Sequence, residues 1–312
     1  MKKKLLAIVG PTAVGKTKLS IHLAKQYNGE IISGDSMQIY RGMDIGTAKV
    51  KPEEQEGIPH HLIDILEPHE DFSVSDFQAL ALQKIDRIHA MDKLPLLVGG
   101  TGLYVQSVTH HFQFSEVGGD KEVRERWEAY LQQHGAEALH QVLTMKDPEY
   151  AKELHPNNAR RVIRALEVID STGQSMSAYQ QDWDRTSPYQ LVMIGLTMDR
   201  KVLYDRINQR VDQMIEEGLL EEVKRLLSLG LPPDTTALQA IGYKELILYI
   251  QGQMNLDEAI ELLKRNSRRY AKRQLTWFRR MKEVTWFDVT DLSKWKENEE
   301  IIAQYVQESY SY

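Results

Sequence analysis

Residues 10 to 17 read GPTAVGKT and match the spacing G-x-x-x-x-G-K-[ST]. The apolar run KLLAIV precedes them, and Leu19, Leu23 and Ala24 follow at helical spacing. Strand, glycine loop and helix in that order make the setting in which this motif binds phosphate. Gly10, Pro11, Thr12, Ala13, Val14 and Gly15 can form a turn whose N–H groups point inward at phosphate oxygens. The helix start adds its dipole, Lys16 a mobile positive charge, and Thr17 a hydroxyl for Mg2+. The loop implies a polyphosphate ligand. It leaves open which one, ATP included, and whether a P–O or a C–O bond breaks.

A second stretch, SGDSMQIYRG at 33–42, places Asp35 where the apolar run EIIS ends. A carboxylate there can hold magnesium or accept a proton, and both roles stay open on position alone. VGGTGLYV sets Gly99, Gly100 and Gly102 around Thr101 at the end of another apolar run. That is either a ligand edge of the sheet or an ordinary tight turn. His60 and His61 are adjacent, so on a strand they point to opposite sides, and one can face a ligand. Their spacing is wrong for a helical metal site. Arg206 and Arg210 are one helical turn apart. Either can reach a phosphate in the first loop or pair with Asp205 or Asp212.

Two segments are basic: NNARRVIR at 157–164 and KRNSRRYAKRQLTWFRRMK at 264–282, the latter with no acid. Arg160 and Arg164 share a helical face, as do Arg265, Arg269 and Lys272. Such faces are either solvated or grip phosphates. The formal net charge is −6, so the bases are concentrated in patches of an acidic chain. Hydrophobic residues are 42% of the 312, enough for a sizeable core. There is no cysteine, which excludes disulfides and thiolate zinc sites and fits a reducing cytoplasm. The basic, apolar start is interrupted at Gly10, too early for a signal peptide, and no run is long enough to span a bilayer.

These residues need a scaffold. KLLAIV, EIIS, a short third run in HHLIDIL, LPLLVGG, YQLVMIGLTMD and EVTWFDV read as strands. Helical patterns alternate with them, including one that starts with a serine cap at SVSDF. That alternation predicts a parallel α/β sheet of the phosphate-loop type. Residues 113–188 carry only helical signals. The expected organisation is an α/β core of 1–112 plus 189–312 with an inserted all-helical module at 113–188. Long helical patterns are expected over about 200–229 and 256–280, with a short helical tail.

Taken together, GPTAVGKTKLS, SGDSMQIYRGMDIGTAK, GIPHHLIDI, VGGTGLYV, NNARRVIRALEV, RINQRVDQM, AIGYKEL and RRYAKRQLTWFR resemble the tRNA dimethylallyltransferases. They occur in that family's order over about residues 5 to 287. Gly34 stands where the family more often has alanine. The resemblance implies a phosphate-loop core, an inserted tRNA-binding module, and Mg2+ as cofactor. It also implies transfer of a dimethylallyl group from dimethylallyl diphosphate to N6 of the adenine 3′ to the anticodon. In that reading Asp35 is the general base, and residues 10–17 hold the diphosphate with Mg2+ at Thr17. Lys16 and Arg210 stabilise the leaving charge. Thr101 orients the amine or a diphosphate oxygen. Asp35, Ser36, Met37, Gln38 and Thr101 meet the tRNA near the reacting base, with Gln38 pairing to the adenine edge. Arg124, Arg160, Arg161 and Arg164 grip the anticodon stem-loop. The partners are tRNA and dimethylallyl diphosphate, with no membrane, and the expected state is a monomer.

Three other readings compete. A small-molecule kinase uses the same loop but leaves the basic module unexplained. A prenyltransferase of free adenine nucleotides needs no such module. A nucleotide-gated RNA-binding protein would turn nothing over.

Overall fold

The strand β1 (Lys4–Val9) is apolar on both sides because both faces of its sheet are covered. Leu6 and Ile8 join one core cluster, while Leu5, Ala7 and Val9 join another on the opposite face. The computed structural model describes residues 2–110, 112, 120–181, 186–232 and 235–311. The chain divides into two compact units, Met1–His110 with Ser187–Tyr312, and His111–Thr186. The expected start of the helical module falls at 113–119, outside the described residues, as do Asp182 and Trp183 of its last helical signal.

In the first unit, β1 runs through the phosphate loop into α1 (Lys16–Gln26) and then β2 (Gly29–Ser33). The next elements are β3 (His60–His61), α2 (Val74–Ala90), β4 (Leu94–Gly99) and α3 (Gly102–Thr109). Helices α4 (Lys121–Lys146), α5 (Pro148–Lys152), α6 (Ala159–Thr172) and α7 (Met176–Gln181) belong to the second unit. The first unit resumes with β5 (Gln190–Thr197), α8 (Arg200–Glu216) and α9 (Leu219–Ser228). It ends with α10 (Tyr243–Ile250), α11 (Leu256–Phe278), β6 (Val284–Asp288) and α12 (Trp295–Tyr310). Among the described residues the sheet order is β3-β2-β4-β1-β5-β6, and every pairing is parallel. This is the phosphate-loop α/β core expected from the alternation of elements.

Register brings the chemistry to one edge. Val9 is opposite Gly99, and Ser33 opposite Val98. The loops leaving β1, β2 and β4 therefore emerge side by side at the carboxyl ends, where α/β sheets bind ligands. The approach is close enough that a Cβ on Gly99 would stand 2.3 Å from the carbonyl oxygen of Gly34. An alanine at position 34 would meet the Val105 side chain at 3.3 Å, a tight contact.

Some expected elements change. The third strand is only His60–His61, because Leu62 and Asp64 adopt positive φ of 61° and 53° and turn the chain away. The pattern at 200–229 is two helices, broken where Gly218 takes φ 100°. Over 121–146 the helical signals KEVRERWEAYLQQHG and GAEALHQVLTMK are two helical stretches, as their sequences read, meeting at a kink where Gly135 takes φ 82°. The serine cap of α2 is as expected. Ser73 accepts from the Asp76 N–H, and the Asp76 carboxylate accepts from Ser73.

In the helical unit, Trp127, Leu139, Leu143, Val162 and Leu166 form the core. Val162 and Leu166 are buried and Ile169 packs against the cluster. Among the described residues, no helix of the chain is long and apolar enough to cross a membrane.

Candidate active site

The phosphate loop takes its shape from three residues at positive φ: Gly10 at 142° and Gly15 at 109°, which adopt it freely, and Ala13 at 65°, whose Cβ makes it costly. At Gly10 a Cβ would stand 2.6 Å from the Leu196 carbonyl oxygen, so only glycine fits against β5. Gly15 serves as the N-cap of α1, leaving the helix's first N–H groups open toward the loop. The Lys16 ammonium folds back over the loop, donating to the carbonyls of Gly10 (3.0 Å) and Pro11 (2.8 Å). Burial, and then the nearby Arg210 charge, pull its pKa down to about 7 against an opposing pull from Asp35.

Two cavities meet at this loop. One, about 310 Å³, is lined by Lys16, Thr17, Ser33, Gln38, Gly100 and Arg206 among others. The second, about 270 Å³, is bounded by apolar side chains including Ile207, Val211, Met214, Ile241 and Leu263. Thr12, Asp35, Thr47, Ala48, Arg210 and Tyr270 line both.

Asp35 is half-buried just past the end of β2, and its Oδ1 accepts the Met37 N–H at 2.8 Å. Its Oδ2 makes no hydrogen bond among the described residues. Thr101, the N-cap of α3, accepts the Ser36 N–H at 3.2 Å and lies 3.4 Å from the Ser36 hydroxyl. The turn after β2 and the second glycine turn are thereby tied together. Met37 and Ser36 line the second cavity beside Asp35. Gln38 is held at both ends of its amide. Ser33 donates to its Oε1 (3.0 Å), and its Nε2 donates to the Thr47 carbonyl (3.2 Å).

Both arginines of α8 turn to the loop. Arg206 Nε donates to the Ala13 carbonyl (2.9 Å), and Arg210 lies 3.5 Å from the Thr12 hydroxyl. Neither pairs with Asp205 or Asp212; Asp212 pairs with Lys264 instead. Burial lowers the Arg210 pKa, with Asp35 opposing. His60 lines the phosphate-side cavity, and His61 turns to the buried Glu30 at 2.7 Å, so the adjacent pair points two ways. Burial lowers the His60 pKa, and its Nδ1 pairs with the Ile58 carbonyl at 2.8 Å.

Two residues of α11 had no assigned role in the sequence. Gln274 is 5% exposed, accepts the Thr12 N–H (2.9 Å) and donates to the Gly100 carbonyl (3.0 Å). It latches the first glycine loop to the second. Tyr270 sits between Thr101 and Gln274, and burial and then the Asp35 charge push its hydroxyl up to about 12. The signal available was the i, i+4 spacing of Tyr270 and Gln274 on one face. The surrounding run of bases hid it. Gln274→Leu removes both latch bonds, leaving the buried Gly100 carbonyl unmet and the half-buried Thr12 N–H without its partner. We expect it to lower stability by about 2–3 kcal/mol, read as a fall in the denaturant midpoint with an unchanged slope.

The four arginines predicted to grip RNA belong to the helical unit. Arg124 (3.0 Å) and Arg164 (3.1 Å) both pair with the buried Glu167. Arg160 and Arg161 are exposed and make no ion pair among the described residues.

Fold and site thus define a phosphate-loop α/β protein with an acidic group held between two chambers. A family model described as IPP transferase matches residues 38–281, and one described as isopentenyl transferase matches 3–68. The tRNA dimethylallyltransferase of Halalkalibacterium halodurans is 60% identical over 94% of this chain and 93% of its own length. That of Bacillus pumilus is 57% identical over 98% and 96%. Among solved structures, the full-length tRNA isopentenylpyrophosphate transferase from Bacillus halodurans is 56% identical, with a TM-score of 0.76 over 99% of this chain and 97% of its own. A eukaryotic dimethylallyltransferase acting on tRNA is 31% identical, with a TM-score of 0.85 over 99% of this chain and 79% of its own. The chain belongs to the tRNA dimethylallyltransferase family and is an enzyme of that class, a prenyltransferase.

Proposed function

We propose that the enzyme transfers the dimethylallyl group of dimethylallyl diphosphate to N6 of the adenine 3′ to the tRNA anticodon. The observation that carries this reading is the position of Asp35, on the shared edge of a phosphate-side cavity and an apolar one. The allylic C–O bond breaks, and its electron pair leaves on diphosphate. The N6 lone pair forms the new C–N bond, and the N6 proton passes to Asp35. An exocyclic adenine amine is a poor nucleophile, so an acceptor for that proton matters as the bond forms. The phosphate-loop N–H groups, Lys16 and Arg210 stabilise the charge on the departing diphosphate. Thr101 holds the 35–36 backbone and orients the amine. The base must leave its stack to reach the site, so it is flipped.

Mg2+ would be held at Thr17. Among the described residues the Thr17 hydroxyl has no hydrogen-bond partner, and no cluster of three His, Asp or Glu able to hold a metal is present. One hydroxyl fits a cation whose other ligands are phosphate oxygens and water, the usual manner of Mg2+. Bound there, the ion supplies further neutralisation of the diphosphate. Arg160 and Arg161, exposed and unpaired, grip the anticodon-loop backbone, with Arg124 and Arg164 beside them. The proposed state is a monomer acting in the cytoplasm.

Labelled dimethylallyl diphosphate incubated with unmodified tRNA and Mg2+ tests the reading. Label is expected in RNA, at the adenine following the anticodon. Transfer of the ATP γ-phosphate with no label in RNA would overturn it in favour of a kinase.

A further inference from the structure

Glu222 lies on α9, lines neither cavity, and is 6% exposed. Its carboxylate accepts four hydrogen bonds. Oε2 takes the N–H groups of Asp44 and Ile45, both at 2.9 Å. Oε1 takes the Gly46 N–H at 3.1 Å and the Tyr243 hydroxyl at 2.6 Å. Successive backbone N–H groups converging on one acceptor form an anion nest. Here the anion is the protein's own side chain. Gly46 is required for the fit, since a Cβ there would stand 2.5 Å from the Tyr243 ring.

The clamped amides lead into Thr47 and Ala48, which line both cavities. Their carbonyls receive the Gln38 Nε2 at 3.2 and 3.5 Å, while Ser33 donates to the other end of that amide. The partners fix which way the amide points. A continuous chain of hydrogen bonds thus runs from α9 through 44–48 to Gln38. The same helix holds the preceding turn as well, through Arg225 donating to the Gly42 carbonyl at 2.6 Å.

We propose that Glu222 is a positioning residue for the tRNA acceptor: its grip on the 44–46 amides sets the Thr47 and Ala48 carbonyls and, through them, the orientation of Gln38. The proposal rests on the reading in which residues 35–38 meet the base. Glu222→Gln replaces one acceptor oxygen by an NH2 group that faces donors, leaving at least one N–H unmet. Tyr243→Phe removes one of the four bonds and keeps the nest.

For Glu222→Gln the KM for tRNA should rise about tenfold. The Kd for dimethylallyl diphosphate should stay within about twofold, since none of the 10–17 contacts is touched. Amide hydrogen exchange at 44–46 should accelerate while that of the β1 strand does not. Tyr243→Phe should move the same quantities the same way by about two- to threefold, and it carries the test if the first variant does not fold. Faster exchange at 44–46 with an unchanged tRNA KM overturns the proposal. So does a parallel loss of diphosphate affinity, which would mark a general loosening. Gln38→Ala separates the two layers. If it raises the tRNA KM and Glu222→Gln does not, the clamp fails alone. If neither does, the assignment of 35–38 fails with it.

Discussion

Asp35→Asn is expected to lower kcat about 10²–10⁴-fold and to leave the affinity for dimethylallyl diphosphate within about twofold. The substitution is nearly isosteric, and the amide oxygen can still accept the Met37 N–H that Asp35 Oδ1 now holds at 2.8 Å. The turn is therefore kept. What is lost is the second oxygen, which makes no hydrogen bond among the described residues and in the proposed reaction would take the N6 proton. An amide cannot take that proton, so attack must develop positive charge on nitrogen with no acceptor nearby. The phosphate side keeps its hydrogen bonds, because Lys16 rests on Gly10 and Pro11, and Arg206 on Ala13; what it loses is the Asp35 charge that pulls against the lowered Lys16 and Arg210 pKa values. Single-turnover transfer to tRNA measures the first quantity, and equilibrium binding of the diphosphate measures the second. A variant that binds diphosphate Mg2+-dependently ten times worse, yet transfers normally, would make Asp35 a metal-site residue instead.

The legible parts of this site are those whose chemistry is local in the chain. GPTAVGKT shows its strand, loop and helix within one short stretch of chain, and the structure has all three where the spacing puts them. The pairing of His60 with the ligand cavity and His61 with Glu30 follows from strand geometry alone. Arg206 and Arg210 were ambiguous because a helix face cannot say what lies opposite it. Tertiary packing decides for the loop. Gln274 and Glu222 were illegible for a deeper reason. Their partners, Thr12 N–H and the 44–46 amides, are backbone groups distant in sequence, and no side-chain pattern announces them. Glu222 also sits within the acidic run EEGLLEEV, which reads as a solvated face. The fold buries one of those carboxylates to organise a loop.

Lys16→Met is expected to lower kcat about 10²–10³-fold, the usual loss when one charge-stabilising donor is removed. It should also abolish a pH dependence that the wild type shows in diphosphate binding. In the free enzyme, burial and then Arg210 hold the Lys16 pKa at about 7 rather than 10.5. A bound diphosphate is an anion between these two cations, so it favours the charged ammonium and raises that pKa. Above about 7 the free enzyme has lost the proton that the complex keeps, and binding must take one up. Affinity therefore falls as pH rises through that window, by up to about tenfold per unit. Calorimetry at pH 8 in buffers of different ionisation heat should show uptake approaching one proton, and none in Lys16→Met. Folding has the opposite sign. Between about 7 and 10.5 the unfolded chain holds a proton that the native lysine lacks, so this group's contribution to stability increases with pH. Below the native pKa both states are protonated and the native state carries the cost of a buried charge. Denaturant melts of the ligand-free enzyme at pH 6.5 and 9 check that slope. Wild type minus Lys16→Met should show it positive, and a saturating diphosphate should flatten it.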